Sequence, residues 1–507
     1  MPFYSDNMFL GLNSSSKKTS PRCEVLSAAQ MREADRIAIE DGTPGYDLMM
    51  AAGQAVANVV HEHYPGHAVL VLCGPGNNGG DGFIAARFLQ DMGHQVSALC
   101  LVPVINLKGD ARRAYKDWGG KAPGFRDRPV MPENTVVIDA VFGTGLARKL
   151  EPVVMEMFDD VRETGWPVVA VDIPSGANGD TGKTDAAALK AAHTATFFRK
   201  KAGHVLMPGM DMCGDVSVHD IGIDDGVLSR TGFALMENDF SLWRERLPQP
   251  ESGGHKYSRG HAVVLGGVRM TGAARMVSEA AMRTGAGLCT IVAGKAAAEV
   301  YKKGAAHVMY EPLVNYAGFI SHLEDRRRNA IVMGPGSGLE DREGLQRAVL
   351  DALAMERPIV LDADALTCFW NEAGRLHDAL HDKAVLTPHE GEFAKLFPGL
   401  EGGRVARAEE AARITGAVIL LKGADTIIAR QGRVSTVNTH ATPWLATAGS
   451  GDVLAGIIAG LMAQGMEAFD AACAGAWIHG EAGVKKGPGL VAPDIIDGIP
   501  AVLRDLT

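Results

Sequence analysis

Short apolar runs alternate with stretches of helical periodicity through the first half of the chain. Runs of this length between turn-forming residues predict buried strands of a parallel sheet that is covered by helices. Helices are predicted over residues 28–40, with Ser27 as N-cap, and over residues 48–64. The predicted strands are 68–73, 96–102, 135–139, 168–172 and 194–198.

The second half repeats this alternation, and the segment between the halves interrupts it with turn-forming residues. In the second half we predict helices over 273–284, 453–464 and 468–484, and strands over 261–266, 288–292, 330–333, 359–362, 384–386, 418–421 and 426–429. Because 507 residues exceed one ordinary core, we expect two α/β domains. Their predicted limits are a flexible extension over 1–24, a first domain over 25–225, a linker over 226–255 and a second domain over 256–507.

The net charge, the cysteines and the apolar runs of the chain indicate which partners and which compartment to expect. Fifty basic and sixty acidic side chains give a net charge of −10, which argues against a nucleic-acid partner. The seven cysteines form no Cys-x-x-Cys pair and are interpreted as reduced core residues of a cytoplasmic protein. We find neither a signal peptide nor a run of apolar residues long enough to span a membrane.

A glycine-rich loop follows the first predicted strand. It reads Gly74-Pro75-Gly76-Asn77-Asn78-Gly79-Gly80-Asp81-Gly82 and opens a helix, so its amides form a candidate anion cradle at the edge of the sheet. It matches neither the dinucleotide-binding Gly-x-Gly-x-x-Gly pattern nor a Walker loop. The alternative interpretation is a tight turn that needs glycine for positive φ.

Two further strand ends carry polar residues that we expect in the same crevice, namely Asp139 and Asp172. Asn78, Asp139 and Ser175 offer hard oxygen ligands that suit a group I or II cation. Capping of the turn after the strand is the alternative role for Asp139.

These motifs, together with Asp-Ala-Val-Phe-Gly-Thr-Gly-Leu from Asp139 and Asp-Ile-Pro-Ser-Gly from Asp172, resemble the NAD(P)H-hydrate epimerases. The resemblance implies a Rossmann-like α/β/α sandwich that binds potassium through Asn78, Asp139 and Ser175. Asp172 is the best placed proton donor or acceptor for epimerisation at C6 of the hydrated nicotinamide. The implied substrate-binding residues are Asn77, Asn78, Gly79, Gly80, Asp81, Gly143, Thr144, Gly145, Leu146, Ala147, Arg148, Lys149 and Asp172.

In the second half, Gly449-Ser450-Gly451-Asp452 opens a long apolar helix. Small residues at a helix N-terminus let backbone amides approach a transferred phosphoryl group, and Asp452 would be the general base beside it. The alternative interpretation is that Ser450 and Asp452 only cap the helix.

Six motifs in order resemble the ADP/ATP-dependent NAD(P)H-hydrate dehydratases, which have a ribokinase-like α/β fold. They are Thr271-Gly272-Ala273-Ala274, Gly334-Pro335-Gly336-Ser337-Gly338, Asp362-Ala363-Asp364-Ala365-Leu366, Thr387-Pro388-His389-Glu390-Gly391-Glu392, Leu421-Lys422-Gly423-Ala424-Asp425-Thr426 and Gly449-Ser450-Gly451-Asp452. The resemblance implies that the hydrate contacts Ala273, Gly336, His389 and Asp452. It implies that ADP or AMP contacts Lys422, Gly423, Ala424, Asp425, Thr426 and Gly451. Glu392 would organise Mg²⁺ through water, and Glu390 replaces an expected proline.

The two resemblances together imply a metabolite repair enzyme for NADHX and NADPHX. One domain would epimerise the R and S hydrates with K⁺, and the other would dehydrate the S form with ADP and Mg²⁺, giving AMP and phosphate. We expect ADP as donor because fused versions without a signal peptide are typical of bacteria, and the resemblance also implies a homo-oligomer. Because each half has its own set of motifs, we expect the domains to work independently. The alternative is a ribokinase-like small-molecule kinase fused to a non-catalytic nucleotide-binding module.

Overall fold

The computed structural model describes residues 22–145 and 148–506, so Leu146, Ala147 and most of the predicted extension lie outside the described residues. The strands are β1 (Glu24–Leu26), β2 (Ala68–Cys73), β3 (Val96–Cys100), β4 (Thr135–Ala140), β5 (Val168–Val171), β6 (His193–Phe197), β7 (Lys200–Lys201), β8 (Asp215–His219), β9 (Leu235–Glu237), β10 (His261–Gly266), β11 (Leu288–Gly294), β12 (Met309–Leu313), β13 (Ala330–Met333), β14 (Ile359–Leu361), β15 (Ala384–Leu386), β16 (Val418–Leu421), β17 (Thr426–Ala429) and β18 (Thr436–Asn438).

The α-helices are α1 (Ala28–Glu40), α2 (Gly45–His63), α3 (Asn77–Asp91), α4 (Gly109–Trp118), α5 (Pro152–Thr164), α6 (Gly209–Cys213), α7 (Leu228–Thr231), α8 (Thr271–Thr284), α9 (Ala298–Lys302), α10 (Arg342–Leu353), α11 (Asp364–Thr367), α12 (Ala373–His377), α13 (Glu390–Leu396), α14 (Arg404–Thr415), α15 (Ser450–Ala463), α16 (Ala468–Lys486) and α17 (Ala492–Leu506). Ser27 caps α1 in a capping box with Gln30. Among the described residues, no helix is both long and apolar enough to cross a membrane.

A parallel six-stranded sheet in the order β3-β2-β4-β5-β6-β8 forms the centre of the first half. Its central strands are apolar and buried, as expected for a sheet covered on both faces. The chain passes from β2 to β3 on one side and returns to β4 on the other side. The carboxyl ends of β2 and β4 therefore flank a topological switch point, where ligands bind in sheets of this kind.

The second half is built on the parallel strands β12-β11-β10-β13-β14-β15-β16, followed by the antiparallel strands β17 and β18. Helices α8 and α15 pack closely against each other because small residues face the contact. A Cβ atom at Gly456 would lie 2.3 Å from the Val277 carbonyl oxygen, and one at Gly460 would lie 2.6 Å from that of Ala281. This packing fixes the position of the N-terminus of α15.

The second sheet continues into the first half of the chain through β9, β1 and β7. Strand β9 lies in the predicted linker and pairs with both β18 and β1. Val25, Val205 and Leu235 are buried in the same apolar cluster as strands of the second half. The segment between the halves therefore joins them through a shared sheet and a shared core as well as through the chain.

Candidate active sites

A cavity of about 560 Å³ lies at the switch point of the first sheet, bounded also by α1 and α2. The loops that follow β2 and β4 meet there closely, because a Cβ atom at Gly74 would lie 1.8 Å from the Val141 carbonyl oxygen. The structure thereby brings together most of the predicted epimerase residues. Those that line the cavity are Asn77, Asn78, Asp81, Gly143, Thr144, Gly145, Arg148 and Asp172.

Gly79, Gly80 and Lys149 do not line this cavity. Gly79 and Gly80 are buried in α3, where a Cβ atom would lie 2.0 Å from the Gly74 carbonyl oxygen or 2.7 Å from the Met49 sulfur. These two glycines therefore permit close packing of the helix that carries Asn78 and Asp81. Lys149 is exposed.

Asp172 lies directly after β5 and has an ionic partner that the sequence motifs do not contain. Lys201 Nζ lies 2.7 Å from its Oδ1, and the lysine side chain is 1% exposed. The Thr144 backbone N–H donates to Oδ2 at 3.1 Å. Burial alone would raise the pKa of Asp172, but the Lys201 ammonium outweighs it and lowers the pKa to about 2. Asp172 is therefore a carboxylate at neutral pH.

His204 fixes the backbone of Asp172. Its Nδ1 accepts the backbone N–H of Lys201 at 2.9 Å, so Nε2 carries the proton and donates to the Asp172 carbonyl oxygen at 2.7 Å. Burial and the nearby Lys201 lower the pKa of His204 to about 4, so the ring is neutral. Asp172 has a φ of 66°, which is uncommon for a residue with a side chain and is typical of functional sites.

Of the three predicted cation ligands, Asn78 lines the cavity, and Asp139 and Ser175 are buried behind its wall. Asp139 is fully buried, and its two oxygens accept Ser175 Oγ–H at 2.6 Å and Ser175 N–H at 2.8 Å. Burial raises the pKa of Asp139, although these hydrogen bonds oppose the rise. A Cβ atom at Gly143 would lie 3.0 Å from both Asn78 Oδ1 and Asp172 Oδ2, and Asn78 Nδ2 is buried without a partner among the described residues. Asn78 Oδ1, the Asp139 carboxyl group and Ser175 Oγ are hard oxygen donors that suit a group I or II cation, whereas Asn78 Nδ2 is a hydrogen-bond donor and cannot ligate one.

Two more carboxyl groups line the cavity, Asp35 from α1 and Asp81 from α3. Burial raises the pKa of Asp35 to about 6, and burial together with Asp172 and Asp35 raises that of Asp81 well above its ordinary value. The cavity thus combines Asp172, whose pKa is lowered, with two carboxyl groups whose pKa values are raised.

The second site lies at the N-terminus of α15, which begins after Gly449 with a φ of 86°. Asp452 occupies the first turn of this helix. Burial and the neighbouring Asp362 raise the pKa of Asp452 to about 6, while Lys422 acts in the opposite direction. Its carboxyl group therefore exchanges a proton close to neutral pH, which suits a general base.

Lys422 connects the carboxylates of this site. Its Nζ lies 2.9 Å from Asp362 Oδ1 and 3.9 Å from Glu392 Oε2. A Cβ atom at Gly451 would lie 3.5 Å from the same Nζ, so the ammonium group faces the N-terminus of α15. His389 caps α13 and its side chain is 60% exposed, with Glu392 accepting the His389 backbone N–H at 2.8 Å.

Ala273 and Gly336 lie together, since a Cβ atom at Gly336 would be 3.1 Å from that of Ala273. Gly336 has a φ of 67°, and a side chain there would also meet the Met270 carbonyl oxygen at 2.4 Å. Glycine at position 336 therefore permits this loop to pack closely against Met270 and Ala273.

The predicted nucleotide segment divides into two parts. Gly423 and Ala424 are exposed, whereas Asp425 and Thr426 are buried. Thr426 Oγ1 donates to the Gly423 carbonyl oxygen at 2.8 Å and accepts the Gly423 N–H at 3.1 Å, which closes the turn. The side chains of Asp425 and Thr426 thus serve the conformation of the turn.

Glu390, which replaces the expected proline, forms ion pairs with Arg404 at 2.7 Å and Arg407 at 2.5 Å. Arg404 also donates to the carbonyl oxygens of Leu421 and Lys422 at 3.3 and 3.1 Å. Glu390 therefore forms ion pairs with the arginine that contacts the segment predicted to bind the nucleotide.

Comparisons with known proteins match both halves. The family model described as YjeF-related protein N-terminus matches residues 45–203, and the one described as NAD(P)H-hydrate dehydratase matches residues 262–499. The bifunctional NAD(P)H-hydrate repair enzyme Nnr of Moorella thermoacetica is 34% identical over 518 residues, which cover 95% of this chain and 97% of the relative. The chain belongs to the family of bifunctional NAD(P)H-hydrate repair enzymes. The Escherichia coli member is 32% identical, over 90% of this chain and 88% of its own.

Among solved structures, the Bacillus subtilis ADP/ATP-dependent NAD(P)H-hydrate dehydratase, co-crystallised with ATP/Mg²⁺, is 27% identical with a TM-score of 0.47 and covers 54% of this chain and 99% of its own. Membership of the repair-enzyme family confirms the resemblance inferred from the motifs. The parallel sheet of the first half and the mainly parallel sheet of the second half confirm the α/β fold class, with a Rossmann-like first half and a ribokinase-like second half.

Sequence reasoning about this repair enzyme missed Lys201, His204 and Asp35 in the first site and Arg404 in the second. Lys201 had a local signal, because Arg199-Lys200-Lys201 follows a predicted strand at the edge that carries the site. Arg404 had none, since it reaches the Leu421 and Lys422 carbonyl oxygens from another helix.

Proposed function

We propose that the chain repairs hydrated NADH and NADPH by epimerising the R and S hydrates in its first half and dehydrating the S hydrate in its second half. The observation that carries this function is that one chain, aligned over 95% of its length with a bifunctional repair enzyme, has two separate sites, each centred on an aspartate after or beside a parallel sheet. A ribokinase-like kinase fused to a non-catalytic module is not favoured, because the first site has its own buried ionic pair.

In the first site, Lys201 is proposed to transfer the proton, and Asp172 is proposed to position Lys201. Loss of the C6 hydroxyl as water requires a proton as the C–O bond breaks, and water adding to the other face returns it. The Lys201 ammonium is buried beside the cavity and can donate this proton, while ionised Asp172 holds the ammonium in place. His204 and Thr144 hold Asp172 in the required orientation.

Asn78, Asp139 and Ser175 are proposed to hold K⁺. Asp139 has no cationic partner among the described residues, and one carboxyl group with neutral oxygens carries too little charge to select Mg²⁺. When bound, the cation would supply positive charge near the hydrated ring or its phosphates. Ser175 and Asp139 would fix the loop that begins at Phe142, since Phe142 N–H donates to Ser175 Oγ at 2.8 Å.

In the second site, Asp452 is proposed to remove the proton of the C6 hydroxyl as it attacks the terminal phosphoryl group of ADP. AMP leaves, and loss of phosphate from C6 together with a proton from C5, which the departing phosphate or water accepts, then forms the ring double bond of the dihydronicotinamide. Phosphorylation is needed because hydroxide is a poor leaving group at neutral pH. Lys422 and the backbone amides of the Gly449–Asp452 turn would stabilise the charge on the phosphoryl group.

Glu392 and Asp362 are proposed to organise Mg²⁺ with ADP, which would neutralise phosphate charge. Both are acidic, mostly buried and next to Lys422. The hydrate is proposed to contact Ala273, Gly336 and His389. Free, buried cysteines fit a reducing compartment, so we propose a cytoplasmic enzyme, and the homo-oligomer stays a prediction.

The test is to incubate the purified chain with mixed R and S NADHX and with ADP or ATP, and to follow NADH absorbance. Complete conversion of both epimers with a nucleotide is expected, with ADP the better donor. Conversion that stops when only the S form is consumed would contradict the epimerase assignment. No conversion with either nucleotide would contradict the dehydratase assignment.

A further inference from the structure

Asp425 has the contacts of a positioning residue, although it stands in the segment predicted to bind the nucleotide. Its residue surface is 3% exposed, and both carboxylate oxygens face protein groups. Arg404 Nε lies 3.2 Å from Oδ1, and the backbone N–H of Met207 donates to Oδ2 at 3.0 Å. The Arg404 contact is an ion pair and the Met207 contact is a hydrogen bond, and the burial of Asp425 between them keeps its carboxylate away from a ligand.

Arg404, which pairs with Asp425, also contacts the exposed part of the segment predicted to bind the nucleotide. The same guanidinium donates to the carbonyl oxygens of Leu421 and Lys422, and a Cβ atom at Gly423 would lie 2.5 Å from its Nη2. Asp425 and Arg404 together therefore hold the peptide planes on either side of Lys422, whose ammonium faces the N-terminus of α15.

Met207 belongs to the first half of the chain. It lies 218 residues before Asp425 and follows the segment that carries Lys201 and His204. Val205 and Leu206 are buried in the apolar cluster of the second half, so the Met207 N–H is held firmly against the nucleotide segment. The first half thus completes the hydrogen bonding of a loop in the second.

We propose that Asp425 is a positioning residue for the dehydratase, and that it orders the nucleotide-binding loop by joining Arg404 to the Met207 N–H of the epimerase half. This inference rests on the proposed function, because it concerns the ADP affinity of that same site. It departs from the expectation that the two halves work independently.

The first test compares Asp425→Ala, Asp425→Asn and wild type in the full chain. Loss of the ion pair and the hydrogen bond should raise KM for ADP about tenfold in Asp425→Ala, with kcat changed less than about threefold. Asp425→Asn retains an acceptor oxygen and its shape, so its KM should rise less. Epimerisation should be unchanged in both variants. Asp382→Ala removes an exposed aspartate that pairs with Arg430 in the same half, and it should leave KM unchanged.

A second measurement follows hydrogen exchange of the Met207 amide, first in wild type and then in Asp425→Ala. If ADP binding and the Met207–Asp425 hydrogen bond support each other, saturating ADP alone should slow hydrogen exchange of the Met207 amide in wild type. In Asp425→Ala that amide should exchange faster, and ADP should no longer slow it.

Three results would overturn the inference. The first is a folded Asp425→Ala or Asp425→Asn chain that melts at a lower temperature with an unchanged KM, which would show a structural role only. The second is a collapse of kcat at unchanged KM, which would place Asp425 at the reacting atoms. The third is exchange of the wild-type Met207 amide that does not respond to ADP. A wild-type chain that converts no S hydrate would instead contradict the proposed function.

Discussion

The two candidate catalytic aspartates lie at comparable places in the two halves but have opposite electrostatic surroundings. Asp172 follows a parallel strand and contacts a buried lysine at 2.7 Å, which lowers its pKa to about 2. Asp452 lies in the first turn of a helix beside a sheet. Burial and the neighbouring carboxylates raise its pKa to about 6. Lys422 lies near it, but that lysine is already paired with Asp362.

This difference shows how one residue type can serve two kinds of chemistry. A carboxylate whose pKa is about 2 is a weak base and holds no proton at neutral pH, so Asp172 can orient and stabilise a cation. A carboxyl group whose pKa is about 6 can accept a proton from a hydroxyl that is losing it in the transition state. The partner of each aspartate, and not the aspartate itself, decides its role.

The largest expected effect is that of Asp452→Asn on dehydration. Because asparagine keeps the shape but cannot accept the proton, kcat for ADP-dependent NADH recovery should fall about a hundredfold or more, with nucleotide binding largely retained. Stopped-flow or steady-state NADH absorbance with the S hydrate measures it. The same protein should equilibrate R and S hydrates at the wild-type rate, and dehydration within a few-fold of wild type would remove Asp452 from the mechanism.

The next effect is that of Lys201→Met on epimerisation. Removal of the ammonium leaves Asp172 buried without its cation, which raises the pKa of Asp172 and removes the proposed proton donor. We expect the epimerisation rate to fall about ten- to a hundredfold, measured by chromatography of the two epimers. Lys200→Met is the matched control, because Lys200 pairs with Glu237 outside the cavity. Equal losses in the two variants would indicate a general effect on the fold.

A smaller effect is expected from Asp139→Ala. If Asp139 helps to hold K⁺, epimerisation should fall about tenfold and lose its response to K⁺ against tetramethylammonium, while dehydration at saturating ADP stays unchanged. Asp139 also accepts the Val141 N–H at 3.3 Å, so a capping role alone would cost about 1 kcal/mol of stability and little activity. An intact fold by circular dichroism with an unchanged epimerisation rate would favour that capping role.

The sequence was sufficient for the elements whose signal is local. Strands β2 and β10 were predicted with their observed limits because a continuous apolar run is buried on both faces. The limits of α1 also agreed, and its start is marked by the capping box that Ser27 and Gln30 form at the N-terminus. Residues after such strands were expected in one crevice, and Asn78 and Asp172 do meet there.

The remainder depends on contacts between distant segments. Strands β1, β7 and β9 have two or three residues each and depend on pairing between segments that are far apart in the sequence. No local pattern marks such strands. Residues 226–255, which contain β9, were therefore predicted to be a linker without secondary structure. The burial of Asp425 was equally invisible, because its partner Met207 lies 218 residues away.

The smallest expected effect concerns the pH dependence of dehydration. Asp452 must be ionised to accept a proton, so wild-type kcat should fall as the pH drops through about 6. Asp364 is one of the carboxylates that raise the pKa of Asp452, and its Oδ2 accepts the Gly338 N–H at 2.9 Å. Asp364→Asn removes the charge and keeps an acceptor oxygen, so the pKa of Asp452 should fall and the acid limb should move to lower pH.

The sign of this shift separates electrostatics from structural damage. At a pH below the wild-type limb, a larger fraction of Asp452 is ionised in Asp364→Asn, so the ratio of acidic to neutral kcat should be higher than in wild type. Damage to the site would lower kcat at every pH and leave the limb in place. Asp351→Asn, an exposed position on α10 that does not act on Asp452, is the matched control and should not move the limb. A limb that stays near pH 6 in Asp364→Asn, or moves to higher pH, would show that the charge of Asp364 does not raise the pKa of Asp452, and the contrast with Asp172 would then rest on burial, Asp362 and Lys201.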